Sequence, residues 1–233
     1  YTAVALGVDL LIHYGHSCLV PIDQTNIHIK ILYVFVDIRI DSLHFIDTIK
    51  LNFAAEQRLA LVSTVQFVAT LHAVANELRQ NGRDVVVPQS KPLSPGEILG
   101  CTAPIVDANT HAIIYLGDGR FHLEAAMIAN PRMKAYKYDP YSKAFTEEFY
   151  DIDRMCRERE HAIDNSRNAR TFGLILGTLG HQGSTVVMDQ LVRNMQQRNR
   201  NIVILLLSEI FPDKLRLLNG IDAFVQIACP RLS

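Results

Sequence analysis

What this sequence lacks is any pairing among its few cysteines. The four, at positions 18, 101, 156 and 229, show no C-x-x-C and no dense spacing, which disfavours both a secreted disulfide framework and a zinc ribbon. Long hydrophobic runs are missing too. The longest uninterrupted aliphatic run, residues 202–207, falls far short of the roughly 20 residues that a membrane helix needs. Nor is charge of one sign in excess. With 23 Lys plus Arg against 24 Asp plus Glu and a net charge of −1, electrostatics gives no argument for nucleic acid or a membrane surface as partner. The chain has no basic-then-apolar leader and no initiator methionine. With the unpaired thiols, these features predict an N-terminally truncated piece of a protein from a reducing, cytoplasmic setting.

What is present is enough apolar material for a substantial core, 48% hydrophobic against 20% charged residues in 233, in roughly one to two domains of about 100–200 residues. Apolar stretches rich in β-branched residues alternate with stretches of helical period, the pattern of parallel sheets with helices on their faces. Strands are expected at 9–13, 31–36, 59–63, 85–87, 112–116, 135–138, 173–176, 202–206 and 223–227. Phe67, Val68, Leu71, Ala75 and Leu78 recur at helical spacing, and Asn81-Gly82 is a stop signal. Ser184 is expected to cap a helix that buries Val187, Leu191 and Met195. A charged helix over 146–170 would carry Phe149, Ile152, Cys156 and Ile163 on one face, with Cys156 packed as a small hydrophobe.

A repeat emerges when the strands are lined up. Asp9-Leu10-Leu11-Ile12-His13, His111-Ala112-Ile113-Ile114-Tyr115 and Asp222-Ala223-Phe224-Val225-Gln226 begin 102 residues (9 to 111) and 111 residues (111 to 222) apart. The period is domain-sized and predicts a triplicated α/β unit of small parallel sheets flanked by helices. On this reading residues 1–53 are the C-terminal half of a first, incomplete unit, 54–146 a second, 147–170 a connecting helix and 171–233 most of a third.

Ligands of open α/β sheets bind beyond the carboxyl ends of the strands, so the candidate residues are those just after each strand. Pocket candidates are His16 in the first unit, Asp118 and Arg120 in the second and Arg231 in the third. The glycine-rich turn after the strand at 173–176 offers Gly177, Thr178, Gly180, Gln182 and Gly183, whose backbone N–H groups could hold an anion or a carboxylate. It lacks the Lys-Ser/Thr of a nucleotide P-loop, and such turns are common in α/β proteins of every function. His16 and His122 read equally well as ordinary turn residues, and Cys18 as a cavity lining and not a ligand.

The loop from Pro88 to Cys101 stands apart, since three prolines and two glycines make a stiff, non-helical path ending on a presented thiol. Ala228-Cys229-Pro230-Arg231 presents a second one. Two lone cysteines are weak evidence for a metal. The repeat strengthens them, because ten residues before Asp9, matching the spacing from Cys101 to His111, falls just before Tyr1. A thiolate there would bring three together from three units, and three soft ligands suit an iron–sulfur cluster with one open iron, or zinc.

The runs His13-Tyr14-Gly15-His16-Ser17-Cys18-Leu19-Val20-Pro21, Val87 through Cys101, Tyr115-Leu116-Gly117-Asp118-Gly119-Arg120-Phe121-His122 and Ala228-Cys229-Pro230-Arg231-Leu232-Ser233 resemble the diphthamide synthesis subunit 1 family, the eukaryotic 2-(3-amino-3-carboxypropyl)histidine synthases. The resemblance spans essentially the whole chain. It implies three α/β units, each giving one cysteine to a 4Fe–4S cluster, with Cys101 and Cys229 as the second and third ligands and the first upstream of Tyr1. It also implies a non-standard radical reaction, in which the aminocarboxypropyl group of S-adenosylmethionine moves to C2 of a histidine imidazole in translation elongation factor 2. Its further implied partners are a related second subunit, forming a heterodimer, and a small metal-binding electron donor. The family has arginine where this chain has His181, which leaves that position without an assigned role.

Two other readings compete with this one: a cluster-free α/β ligand-binding module with incidental cysteines, and a regulatory subunit whose cluster does no chemistry. On the leading reading Cys101 and Cys229 share one cavity. These 233 residues expressed alone are expected neither to keep the cluster nor to cleave S-adenosylmethionine, because metal affinity depends on ligand count.

Overall fold

The computed structural model describes residues 2–14, 29–178 and 183–228. The chain divides into two compact units, 1–152 and 153–233.

The first unit holds two sheets. After a short helix α1 (Thr2–Ala5), strands β1 (Leu10–Tyr14) and β2 (Lys30–Val34) pair in parallel. Helix α2 (Ser42–Asn52) follows, with the Asp41 carboxylate accepting from the His44 N–H at its start. Next come β3 (Leu59–Ser63), a 3-10 turn (Val65–Phe67), α3 (Val68–Gln80), β4 (Val85–Val86), β5 (Ala112–Leu116), α4 (Phe121–Ala129), β6 (Lys134–Tyr138) and β7 (Phe145–Glu148). These strands form one sheet of order β4-β3-β5-β6-β7, parallel except for β7.

The sheet is covered on both faces, which is why its central strands read as unbroken apolar runs. Along β3 and β5 alternate side chains point opposite ways. Leu59, Leu61, Ala112, Ile114 and Leu116 pack with Phe45, Ile46 and Ile49 of α2 and Leu71, Ala75 and Leu78 of α3. Ala60, Val62, Ile113 and Tyr115 pack with Leu123, Ala126 and Met127 of α4. Each fully buried Leu or Ile contributes about 1.5–3 kcal/mol. Leu71, Ala75 and Leu78 of α3 are buried as expected, joined by Val74, while Phe67 is buried in the preceding 3-10 turn and Val68 is half-buried. The helix stops where expected, at Asn81 with Gly82 at φ +77°. Residues 42–52, inside the stretch expected as the first unit, thus help build the core over the second sheet.

The second unit contains α5 (Ile152–Ser166, which starts at the boundary), β8 (Thr171–Gly177), α6 (Thr185–Gln196), β9 (Asn201–Leu207), α7 (Pro212–Arg216) and β10 (Ala223–Ile227). Its parallel sheet has the order β9-β8-β10. That is the order β4-β3-β5 over again, with the first strand of each set in the middle. The registers agree as well: Leu59 lies opposite Ala112, and Phe172 opposite Ala223. Leu10 opposite Lys30 repeats the step from Ala112 to Lys134. The repeat read from strand spacing is therefore a repeat of strand order and register.

Three local expectations need correction. The helix expected from Thr146 begins only at Ile152, because Phe145–Glu148 pairs antiparallel with β6. Cys156 is exposed, not packed. No residue of α5 is buried, so its apolar stripe is not sealed: toward its end the helix borders a groove of about 810 Å³ lined by Ala162, Ile163, Phe172 and Phe224, and Ile163 is 60% exposed. Ser184 does cap α6, accepting from the Val187 N–H. Val187 itself is exposed, however, and the half-buried stripe is Met188, Leu191, Val192 and Met195.

Candidate functional site

In the first unit the loop expected to be stiff is pinned to the carboxyl end of β3. Its neck closes where the Gly96 N–H donates to the Pro88 carbonyl at 2.7 Å. The Ser63 N–H then donates to the Gly96 carbonyl (2.8 Å), and the Ile98 N–H to the Ser63 carbonyl (2.9 Å), so residues 96–98 run beside β3 as a short parallel bridge. Gly96 has φ +82°, and a Cβ there would lie 2.5 Å from Leu71 Cδ2 and 2.8 Å from Val87 Cγ1. Glycine is required on both counts. From outside, the His72 ring is hydrogen-bonded to the Pro95 carbonyl at 3.0 Å. Inside, the buried Glu97 carboxylate accepts from the Ser94 N–H at 3.1 Å.

Beyond the bridge Ile98 and Leu99 are buried, the Leu99 N–H donates to the Thr102 carbonyl at 2.8 Å, and the tight turn between them throws Cys101 outward. The thiol is free and exposed, 3.6 Å from the Thr102 hydroxyl. Gly100, by contrast, is buried under the Phe121 ring, so close that a Cβ there would overlap the ring. Phe121 opens α4, so the Cys101 turn lies against the amino end of the helix that follows β5.

The turn after β5 is fixed just as firmly. The Gly117 N–H donates to the Tyr138 carbonyl at 3.1 Å, and the Tyr115 phenol folds back over Gly117, where any Cβ would overlap it, to donate to the Asp118 carbonyl at 3.4 Å. Burial pushes the Tyr115 phenol well above its ordinary pKa of 10.0, the Asp118 charge adds to this, and the nearby Thr64 hydroxyl works against it. Asp118 is exposed, and Gly119 turns the chain at φ +60°. Arg120 spends its guanidinium within the fold, on Glu124 at 2.9 Å, Glu148 at 3.6 Å and the Phe149 carbonyl at 2.7 Å. His122 is half-buried, its ring edge-on to Phe121 at 5.3 Å.

In the second unit β8 ends at Gly177, and the Thr178 N–H donates to the Leu207 carbonyl at 2.9 Å. A Cβ on Gly183 would lie 2.8 Å from the Gly177 carbonyl and 2.5 Å from Leu176 Cδ1, so the two ends of the glycine-rich turn close over the sheet edge. A Cβ on Gly177 would lie 2.6 Å from the Cβ of Ala228, which precedes Cys229 in the chain. Gly177, Thr178 and Gly183 thus sit at one strand-end cluster with the residue next to Cys229. At the other end of this sheet the Asp222 carboxylate accepts from Thr171 (2.8 Å) and Arg170 (2.9 Å) N–H groups, the bonds that hold its pKa below the ordinary 3.8.

His16, Cys18, Gly180, His181, Gln182, Cys229 and Arg231 lie outside the described residues. Among the described residues no three His, Cys, Asp or Glu side chains converge. The one expected ligand that is described, Cys101, suits an iron–sulfur cluster by chemistry and by presentation: it is a soft donor, exposed, on a backbone that its turn already immobilises. The sequence reading did not single out Phe121, Glu97 or His72. An aromatic residue opening the helix after a glycine-rich turn was the available signal for Phe121.

A repeated α/β chain that sets glycine-rich turns and a free thiol at the carboxyl ends of its strands belongs among proteins that build their sites from loops on parallel sheets. All of residues 1–233 match the family described as "Putative diphthamide synthesis protein", and the chain belongs to that family. It is 60% identical over 233 residues to 2-(3-amino-3-carboxypropyl)histidine synthase subunit 1 of Nematostella vectensis, covering 100% of this chain and 50% of that protein. It is 56% identical to the subunit of the same name from Homo sapiens, covering 53% of it. The chain therefore spans about half the length of the curated relatives it matches. Among solved structures, Dph2 from Pyrococcus horikoshii with a 4Fe–4S cluster superposes with a TM-score of 0.75 at 25% identity, over 99% of this chain and 67% of that one.

Proposed function

We propose that this chain forms part of a cytoplasmic 2-(3-amino-3-carboxypropyl)histidine synthase, which moves the aminocarboxypropyl group of S-adenosylmethionine to a histidine imidazole of translation elongation factor 2. The names of its relatives support the reaction, and the 4Fe–4S cluster held by Pyrococcus horikoshii Dph2 supports an iron–sulfur cofactor. Cys101 and Cys229 would hold a 4Fe–4S cluster together with a cysteine preceding Tyr1. When bound, the cluster supplies the electron that divides S-adenosylmethionine at its sulfur.

The residues of this chain then have distinct tasks. The Ser63 bridge to Gly96 and Ile98 holds the Cys101 turn at one place on the sheet edge. The Thr178 N–H is taken by Leu207, so the backbone N–H groups proposed for the carboxylate of S-adenosylmethionine are those of Gly180, Gln182 and Gly183, with Gly177 and Thr178 anchoring the start of the turn. Asp118 lines the same sheet end as Cys101, as would His16 and Arg231 in their own units, whereas Arg120 organises the turn from behind. A related second subunit and a small metal-binding electron donor complete the assembly.

The observation that carries this reading is the exposed Cys101 on a backbone pinned at Gly96, Ile98 and Leu99. Iron and sulfide analysis of the full-length subunit with its partner, wild-type and Cys101→Ser, tests it. The wild type is expected to carry about four irons and the variant to lose most of them together with S-adenosylmethionine cleavage. Equal iron in the two proteins would overturn the assignment.

A further inference from the structure

We infer that Phe121 is a positioning residue for Cys101, closing on the bare backbone of Gly100 so that the thiol is held in one direction and water is kept from that side of it. The inference rests on the reading of Cys101 as a cluster ligand. Gly100 is buried although its neighbour Cys101 is exposed, and what covers Gly100 is the Phe121 ring. Three ring atoms, Cδ1, Cε1 and Cζ, lie where a Cβ at position 100 would contact them. Only glycine there lets the ring approach.

Phe121 is 37% exposed, but the helix start that carries it is held. Arg120, immediately before it, is tied to Glu124 in the first turn of α4, to Glu148 of β7 and to the Phe149 carbonyl. Leu123, two residues on, is fully buried against the sheet. The helix start that carries Phe121 therefore has little freedom to rotate away. With Leu99 buried on one side and the ring over Gly100 on the other, the backbone leading to Cys101 is clamped between two apolar contacts. Groups behind a metal ligand set its orientation, and the apolar shell around a cluster sets solvent access and redox behaviour.

The test uses the full-length subunit with its partner, carrying Phe121→Ala, Phe121→Leu, Gly100→Ala or the double change Gly100→Ala with Phe121→Ala. Thermal unfolding identifies any variant that fails to fold, and Phe121→Leu keeps an apolar side chain should the alanine variant do so. After anaerobic reconstitution, Phe121→Ala and Gly100→Ala are each expected to lose iron to a chelator about ten-fold faster than wild type. The electron paramagnetic resonance spectrum of the reduced cluster should change with them, and leucine should restore much of the wild-type behaviour. The double variant should be no worse than either single one, because both remove the same contact. In the iron-free protein, alkylation of Cys101 measured against exposed Cys156 by peptide mass spectrometry should rise in the same variants.

Wild-type spectra, chelation rates and alkylation ratios in Phe121→Ala and Gly100→Ala, with iron still lost in Cys101→Ser, would overturn the inference and leave the ligand assignment standing. Retention of iron in Cys101→Ser would remove the ligand assignment. The alkylation ratio then decides alone, and an unchanged ratio overturns the role of Phe121 as well.

Discussion

Gly177 and Ala228 touch at the carboxyl ends of adjacent parallel strands, where a Cβ on the glycine would come within 2.6 Å of the alanine Cβ. The neighbours are backbone and a methyl group, neither of which can swing aside. Gly177→Val should therefore force β8 and β10 apart and cost about 1–3 kcal/mol of stability. Urea unfolding measures this. If Cys229 is a cluster ligand as proposed, iron content should fall in the same variant because Ala228 precedes it, and a fully stable, iron-replete Gly177→Val protein would show that the contact is dispensable.

Gly96 has two independent reasons to be glycine, a positive φ and close contacts with Leu71 and Val87. Gly96→Ala is expected to destabilise the fold by about 1–3 kcal/mol through the backbone alone, with the packing clash added. Gly82 makes a useful control. It also has positive φ, at +77°, but open space around its Cβ. Alanine there should cost less than at position 96 in the same unfolding experiment.

Asp222 gives a pH dependence of known sign. Its two backbone hydrogen bonds hold its folded pKa below 3.8, so its stabilising effect is present above the unfolded value and is lost as pH falls through the folded one. Asp222→Asn should be less stable than wild type at neutral pH, and the two should converge below about pH 4. A gap of constant size from pH 7 to pH 3 would mean that the charge is irrelevant.

Tyr115 works in the opposite direction. Its folded pKa is raised above 10.0, chiefly by burial, so its contribution is intact below pH 10 and fades as the solution becomes more alkaline. A spectroscopic titration of the chain's eight tyrosines should show it ionising among the last, and Tyr115→Phe should delete that late component. An unchanged late phase in the variant would reassign it, with Tyr136 and Tyr138 next in line since both are also raised by burial.

Much of the fold was legible because strand and helix periods differ. Runs such as residues 59–62 and Ala112–Leu116 are apolar on both faces, as buried central strands are, and the domain-sized spacing of the strands from Asp9, His111 and Asp222 exposed the repeat. What a helix face packs against is not written in its own period. Cys156 and Ile163 lie on a helix with no buried residue, Ile163 beside a groove and Cys156 exposed, and Val187 sits one position off the stripe that α6 half-buries. The charged helix expected from Thr146 starts late because Glu147 and Glu148 pair with β6 instead. At the site, prolines and glycines marked the Cys101 loop. The ring that covers Gly100 depends on a contact between distant parts of the chain, Gly100 and Phe121, which no local pattern encodes.

The reversed strand β7 has a consequence for how this protein can associate. A parallel sheet left open at β6 would offer a row of unpaired amides and carbonyls to any passing chain. Here that row is taken up by a four-residue strand running the other way, with exposed Thr146 and Glu147 and half-buried Glu148 along it. So short and acidic an edge is a poor template for amyloid-like stacking, and it closes this margin to strand exchange between molecules. A molecule that meets this margin is therefore expected to do so through side chains and loops, not by lengthening the sheet beyond β7.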